Sequence, residues 1–178
     1  MSRQTTLARR SRVTLLVAVV ALLAGCFESK YPLSNRQPGQ KIDPQYLGDW
    51  TLEHLDADGQ TNTSKLFVRN LRGEEYFVDW VAGDDDNDRF RATGHLTDEG
   101  GGTFANLQPL SDNAQPSDKY TILRIEMDGP KLKLQNLDPD FFKGKSYDSA
   151  DALRKIVADN LQNEKMYKGE PFFGTKTK

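Results

Sequence analysis

Few residues in this chain of 178 could do chemistry at neutral pH, and each has a spacing that can be tested. Cys26 is the sole thiol, so neither an intrachain disulfide nor a multi-thiolate metal site can form. His54 and His95 are the only imidazoles. Neither stands in a Gly-x-Ser-x-Gly or His-Glu-x-x-His context that would make it a general base or a zinc ligand. His95 also alternates away from the apolar side of its strand, which reads as a surface position. The run Asp84-Asp85-Asp86-Asn87-Asp88 offers hard oxygen ligands of the kind calcium takes. Counted from Asp84 as a calcium-binding loop, however, it has Arg89 where glycine must turn the chain and His95 where a bidentate glutamate is needed. Asp56-Ala57-Asp58-Gly59 reads as a turn. Gly100-Gly101-Gly102 lies between strands and lacks the helix whose amino terminus would hold a phosphate. The expectation is a non-enzymatic protein with no catalytic residue, no metal and no cofactor.

The surroundings of Cys26 are more informative. Arg3, Arg9, Arg10 and Arg12 precede an apolar run from Val13 to Leu23, interrupted only by Thr14, with no acidic residue before Glu28. That is the charged and apolar pair of regions of a secretory signal, too short to span a bilayer. Leu23-Ala24-Gly25-Cys26 resembles the lipobox of bacterial lipoproteins. The resemblance implies cleavage before Cys26, a diacylglyceryl thioether on its sulfur and an acyl group on its new amino terminus. Two or more chains make attachment stable where one is marginal. Phe27, standing where aspartate would favour inner-membrane retention, points to the outer membrane, with the domain facing the periplasm. Arg9-Arg10 lacks the large apolar pair of a twin-arginine signal.

The mature chain would number 153 residues, with 20 basic against 26 acidic side chains, an excess that disfavours nucleic acid as a partner. Residues 26–45, with Pro32, Pro38 and Pro44, read as a lipidated cysteine and flexible tether of ~25 Å reach. Beyond it, period-two patterns mark strands. Trp50, Leu52 and His54 share one face, as do Leu66 and Val68, and Tyr76, Val78 and Trp80. Phe90, Ala92, Gly94 and Leu96 form the clearest stripe. Further strands run through Thr103 to Leu107, Lys119 to Met127 and Leu132 to Asn136. A helix from Asp148 to Asn163 carries Leu153, Ile156, Val157 and Leu161 on one stripe, and Asp138-Pro139 caps a single turn before it. The fold class is mainly β: an antiparallel meander of about seven strands, forming a curled sheet or a small calycin-like barrel, with a carboxy-terminal amphipathic helix. The domain is assigned to residues 46–168 and a flexible tail to 169–178.

Two resemblances bear on function. Gly48-Asp49-Trp50 is similar to the Gly-x-Trp motif of lipocalins, in which the tryptophan plugs the closed end and the glycine lets the chain pass close. Lys131, Lys133 and Lys143 stand where the lipocalin arginine that covers the tryptophan would be sought. Nearly the whole chain resembles a class of small, mostly uncharacterised bacterial lipoproteins, with Tyr31-Pro32 in the spacer and Ile42-Asp43-Pro44 before Leu47-Gly48-x-Trp50. Two functions follow as expectations: an envelope binding or assembly module with a protein partner, or a lipocalin-like carrier of a small apolar ligand. The carrier requires an apolar cavity of roughly 300 Å³ or more.

Overall fold

The computed structural model describes residues 26–56, 58–82 and 89–178. The signal segment with Leu23, Ala24 and Gly25, and the acidic run 84–88, lie outside the described residues. Among the described residues nine strands form one antiparallel sheet: β1 (Glu28–Ser29), β2 (Gly48–Leu55), β3 (Thr61–Leu71), β4 (Glu75–Ala82), β5 (Arg89–Glu99), β6 (Gly102–Pro109), β7 (Tyr120–Asp128), β8 (Lys131–Leu137) and β9 (Tyr167–Lys176). Each of β2 to β9 pairs with its sequence neighbours, and β9 also pairs with β2, so eight strands close into a barrel. β1 adds a short ninth strand on β7, with Glu28 opposite Thr121. The structure is a small calycin-like barrel, and closure decides between the two forms that periodicity leaves open.

Closure comes from the segment assigned to a flexible tail. β9 joins the edges of β2 and β8, with Leu52 opposite Gly174 and Leu134 opposite Phe172. Gly169, Pro171 and Gly174 make it read as a turn-rich tail, yet each has a place in the sheet. The β8–β9 register shifts between Leu134 and Asn136, leaving residues 169–171 outside the paired positions, and Gly169 there takes φ +63°. A bulge of this kind accommodates both a left-handed glycine and a proline that cannot donate to the ladder. At Gly174 a Cβ would lie 2.8 Å from a Leu52 methyl, so glycine permits the close approach.

The described residues form two apolar layers. The barrel interior is filled by one face of every long strand, including Trp50, Leu52, Leu66, Val78, Ala92, Leu107, Leu123, Leu132 and Phe172. Outside the wall a second core gathers Phe104, Ile122 and Leu137 with α1 (Pro139–Phe142) and α2 (Ala150–Asp159). The α2 stripe inserts Leu153 and Val157, both fully buried. Asp138 caps α1 ahead of Pro139, and Ser149 caps α2 by accepting from Ala152 N–H at 3.2 Å. The helix is shorter than Asp148 to Asn163: it stops at Asp159, and Glu164–Met166 form a separate 3-10 turn.

Residues 26–45 are a strap rather than a free tether. Phe27, Ser29 and Leu33 are buried. Leu33 N–H donates to Asn106 Oδ1 at 2.7 Å, Asn106 Nδ2 donates to Thr97 Oγ1 at 3.0 Å, and Gln40 Nε2 donates to the Leu96 carbonyl at 2.6 Å. His95 is buried beneath the strap, correcting its reading as a surface residue. It lies on the outer face of β5, as the alternation requires, but the strap covers that face at His95 and Thr97. Asn106 is fully buried and holds the clasp together, so Asn106→Ala strands the Leu33 N–H and is expected to cost about 1–3 kcal/mol in urea unfolding. An unchanged midpoint would remove the strap's role in stability.

Candidate functional site

The barrel has a closed end built around Gly48-x-Trp50. Gly48 has φ +140°, and a Cβ there would lie 2.6 Å from the carbonyl oxygen of Lys178, so only glycine lets the carboxy terminus pass. Trp50 is buried and donates from Nε1 to the Tyr46 carbonyl at 3.2 Å, which seats the 3-10 turn Pro44–Tyr46 across the barrel mouth. A cation does cover this tryptophan. It is Lys176, on the unexpected β9, with Nζ 5.2 Å from the ring centroid, rather than Lys131, Lys133 or Lys143.

At the other end Phe172 stacks on His54 at 4.3 Å between centroids and meets the edge of Trp80 at 5.0 Å. Trp80 Nε1 donates to Ser64 Oγ at 2.8 Å, whereas His54 Nδ1 is buried with no hydrogen-bond partner among the described residues. Between these plugs about 40 Å³ of free space remains among Leu66, Val68, Leu107 and Leu134. That is room for about one water, whose share of liquid volume is ~30 Å³.

The larger opening is outside the barrel. A polar groove of about 760 Å³ runs between the strap, the β5–β6 hairpin and α2. Strap residues Gln37, Gln40, Lys41, Asp43 and Gln45 form one wall, and Thr97, Asp98, Glu99, Thr103 and Arg154 the other. The walls are ordered by internal bonds. Tyr76 Oη accepts from Asp43 N–H at 2.7 Å, Thr103 Oγ1 donates to Asp98 Oδ1 at 2.7 Å, and Arg154 lies 3.7 Å from Glu99. Burial raises the Glu99 carboxyl above its ordinary value, with Arg154 opposing the shift. Burial likewise raises the Tyr46 and Tyr76 phenols. These side chains offer amides, hydroxyls and both signs of charge, which suit a polar, hydrogen-bonding ligand.

His95 also borders the groove, but its Nε2 donates to the Ser34 carbonyl at 2.7 Å. Burial lowers its pKa, outweighing the bond to Ser34. The folded state therefore binds protons less readily here than the unfolded chain. The stabilisation is full above the unfolded imidazole value of ~6.5 and is lost as pH falls below it. His95→Gln is expected to flatten the fall in urea midpoint between neutral and mildly acidic buffer. An unchanged slope would place that pH dependence elsewhere.

No family model, curated protein or solved structure matches this chain. The assignment of a site therefore rests on its geometry. Cys26 stands at the far rim of the barrel, half-buried, and its Sγ donates to Asn136 Oδ1 at 3.6 Å. Burial pushes this thiol up to about 11, against the lowering effect of the Lys168 charge. An unmodified Cys26 is thus a poor thiolate nucleophile. Among the described residues no cluster of three or more His, Cys, Asp or Glu side chains could hold a metal ion. The groove itself was missed from sequence because it is made by the strap, whose polar residues read as linker.

Proposed function

We propose that this chain is a lipid-anchored binding or assembly module of the bacterial envelope, attached through acylated Cys26 and working through the polar groove outside its barrel. The lipobox-like Leu23-Ala24-Gly25-Cys26 and the arginine-rich start support the anchor, and Phe27 supports the outer membrane. Among the described residues no helix is long and apolar enough to cross a membrane. The observation that carries the binding role is the contrast in space: about 40 Å³ inside the barrel against about 760 Å³ in the groove. A carrier of an apolar ligand needs several times the interior volume present. The engaged ring of His95 and the internally bonded Asp98 favour recognition over catalysis. A photo-crosslinking amino acid at exposed Lys41 is expected to capture an envelope component in cells, whereas one at Leu55, exposed on the outer surface of β2, is not. Capture at Leu55 alone would move the recognition surface away from the groove.

A further inference from the structure

We infer that the anchor is mounted flush on the barrel, so that the domain stands end-on on the bilayer with the groove held away from it. The inference rests on the acylation of Cys26 proposed above and adds a fixed orientation to it.

A lipoprotein on a coil of about 20 residues could turn freely at ~25 Å from its anchor. Here no residue of slack separates Cys26 from the fold. Phe27 is buried, stacks on Phe142 at 4.0 Å and tilts against Tyr147 at 6.1 Å. Glu28 and Ser29 then pair with β7, and Leu33 is locked to Asn106. Acylation replaces the S–H proton donated to Asn136, because a thioether has no hydrogen to donate, whereas the contacts of Phe27, Glu28, Ser29 and Leu33 do not involve the sulfur. Both sites of acylation, sulfur and amino terminus, belong to this one residue, so all the hydrocarbon leaves from one point.

That point has a defined place. Asn136 pairs with Lys168, so Cys26 sits at the rim where β8 ends and β9 begins. The groove includes Glu74, Glu99 and Thr103, which lie at the hairpins of the opposite, closed end. The eight residues of β6, tilted as barrel strands are, separate the two ends by ~20 Å. The hairpin residues Glu74, Glu99 and Thr103 thus lie beyond the ~8 Å Debye length at physiological salt, while the groove reaches back along the wall to Ser34 and His95. Its ligand would approach from the aqueous side and need not be a membrane lipid.

The test uses the lipidated protein extracted from bacterial membranes and reconstituted in phosphatidylethanolamine–phosphatidylglycerol vesicles carrying headgroup spin-labelled lipid. With Cys26 acylated, a new cysteine takes a fluorophore uniquely. Lys145→Cys reports from the anchor rim, because Lys145 lies over Phe141, itself packed on Phe142; Lys41→Cys reports from the groove. Both lysines are exposed, so the fold should tolerate the changes. Quenching is expected to be several-fold stronger at Lys145→Cys. Lys143→Cys and Lys131→Cys, at the anchor rim and the β7–β8 hairpin, form an independent pair with the same expected order. Equal quenching at both ends, or stronger quenching at the groove, would overturn the flush mounting while leaving the anchor intact. Protein that stays out of the vesicle fraction would overturn the anchor, and the orientation with it.

Discussion

Deletion of residues 169–178 is expected to abolish folding, leaving a chain with no cooperative urea transition and no native monomer peak on size exclusion. The ten residues contain Phe172, Gly174 and Lys176 and most of β9. Their loss unpairs β2 from Trp50 to Glu53 and β8 from Lys131 to Leu134 at once. It uncovers Leu52, Leu132 and Leu134, which are buried in the closed barrel. Removing one buried phenylalanine side chain alone costs about 3–5 kcal/mol, a large part of the ~5–15 kcal/mol that holds a domain together. Two long edges would then be free to pair between molecules. A truncated protein that stayed monomeric with its unfolding midpoint unchanged would show that the barrel does not depend on β9.

The second large effect is at the closed end. Trp50→Ala removes a side chain that is 2 % exposed, its bond to the Tyr46 carbonyl and the face beneath Lys176. The expected loss is about 3–5 kcal/mol, read from urea unfolding. Trp50→Phe keeps most of the volume and loses only the indole N–H, so it should fall between wild type and alanine. Trp80, the other tryptophan, provides the fluorescence signal in both variants. A loss under about 1 kcal/mol for the alanine variant would mean that the closed end tolerates the cavity and that Trp50 is peripheral to the core.

The meander from Trp50 to Asn136 was legible because each strand keeps apolar residues at every second position, and the alternation is clearest in β5, whose other face carries Arg89, Arg91, Thr93 and His95. Gly48-x-Trp50 was legible as a close passage, although nothing in it indicates that Lys178 is the backbone that passes. The cap at Asp138 is a local side-chain to backbone bond, so local sequence sufficed there. Two kinds of element were not legible. β9 carries its glycines and proline at a bulge and at a close contact, features that look like a tail until the partner strands are known. The strap and its groove depend on His95, Thr97 and Asn106, polar residues on an outer face. Their period is that of a solvated strand, and only the returning amino-terminal segment buries them. One faint signal was present: Phe27 and Leu33 are large apolar residues in a segment otherwise suited to a linker.

Membrane attachment and orientation both depend on Cys26 being a lipid anchor. The most direct measurement is the intact mass of the protein extracted from bacterial membranes, followed by fragmentation at its amino terminus. The expected result is a chain beginning at Cys26, with a diacylglyceryl thioether on the sulfur and an acyl group on the amino nitrogen. A free Cys26 thiol, in a chain that keeps residues 1–25 or begins elsewhere, would contradict the anchor and the orientation built on it.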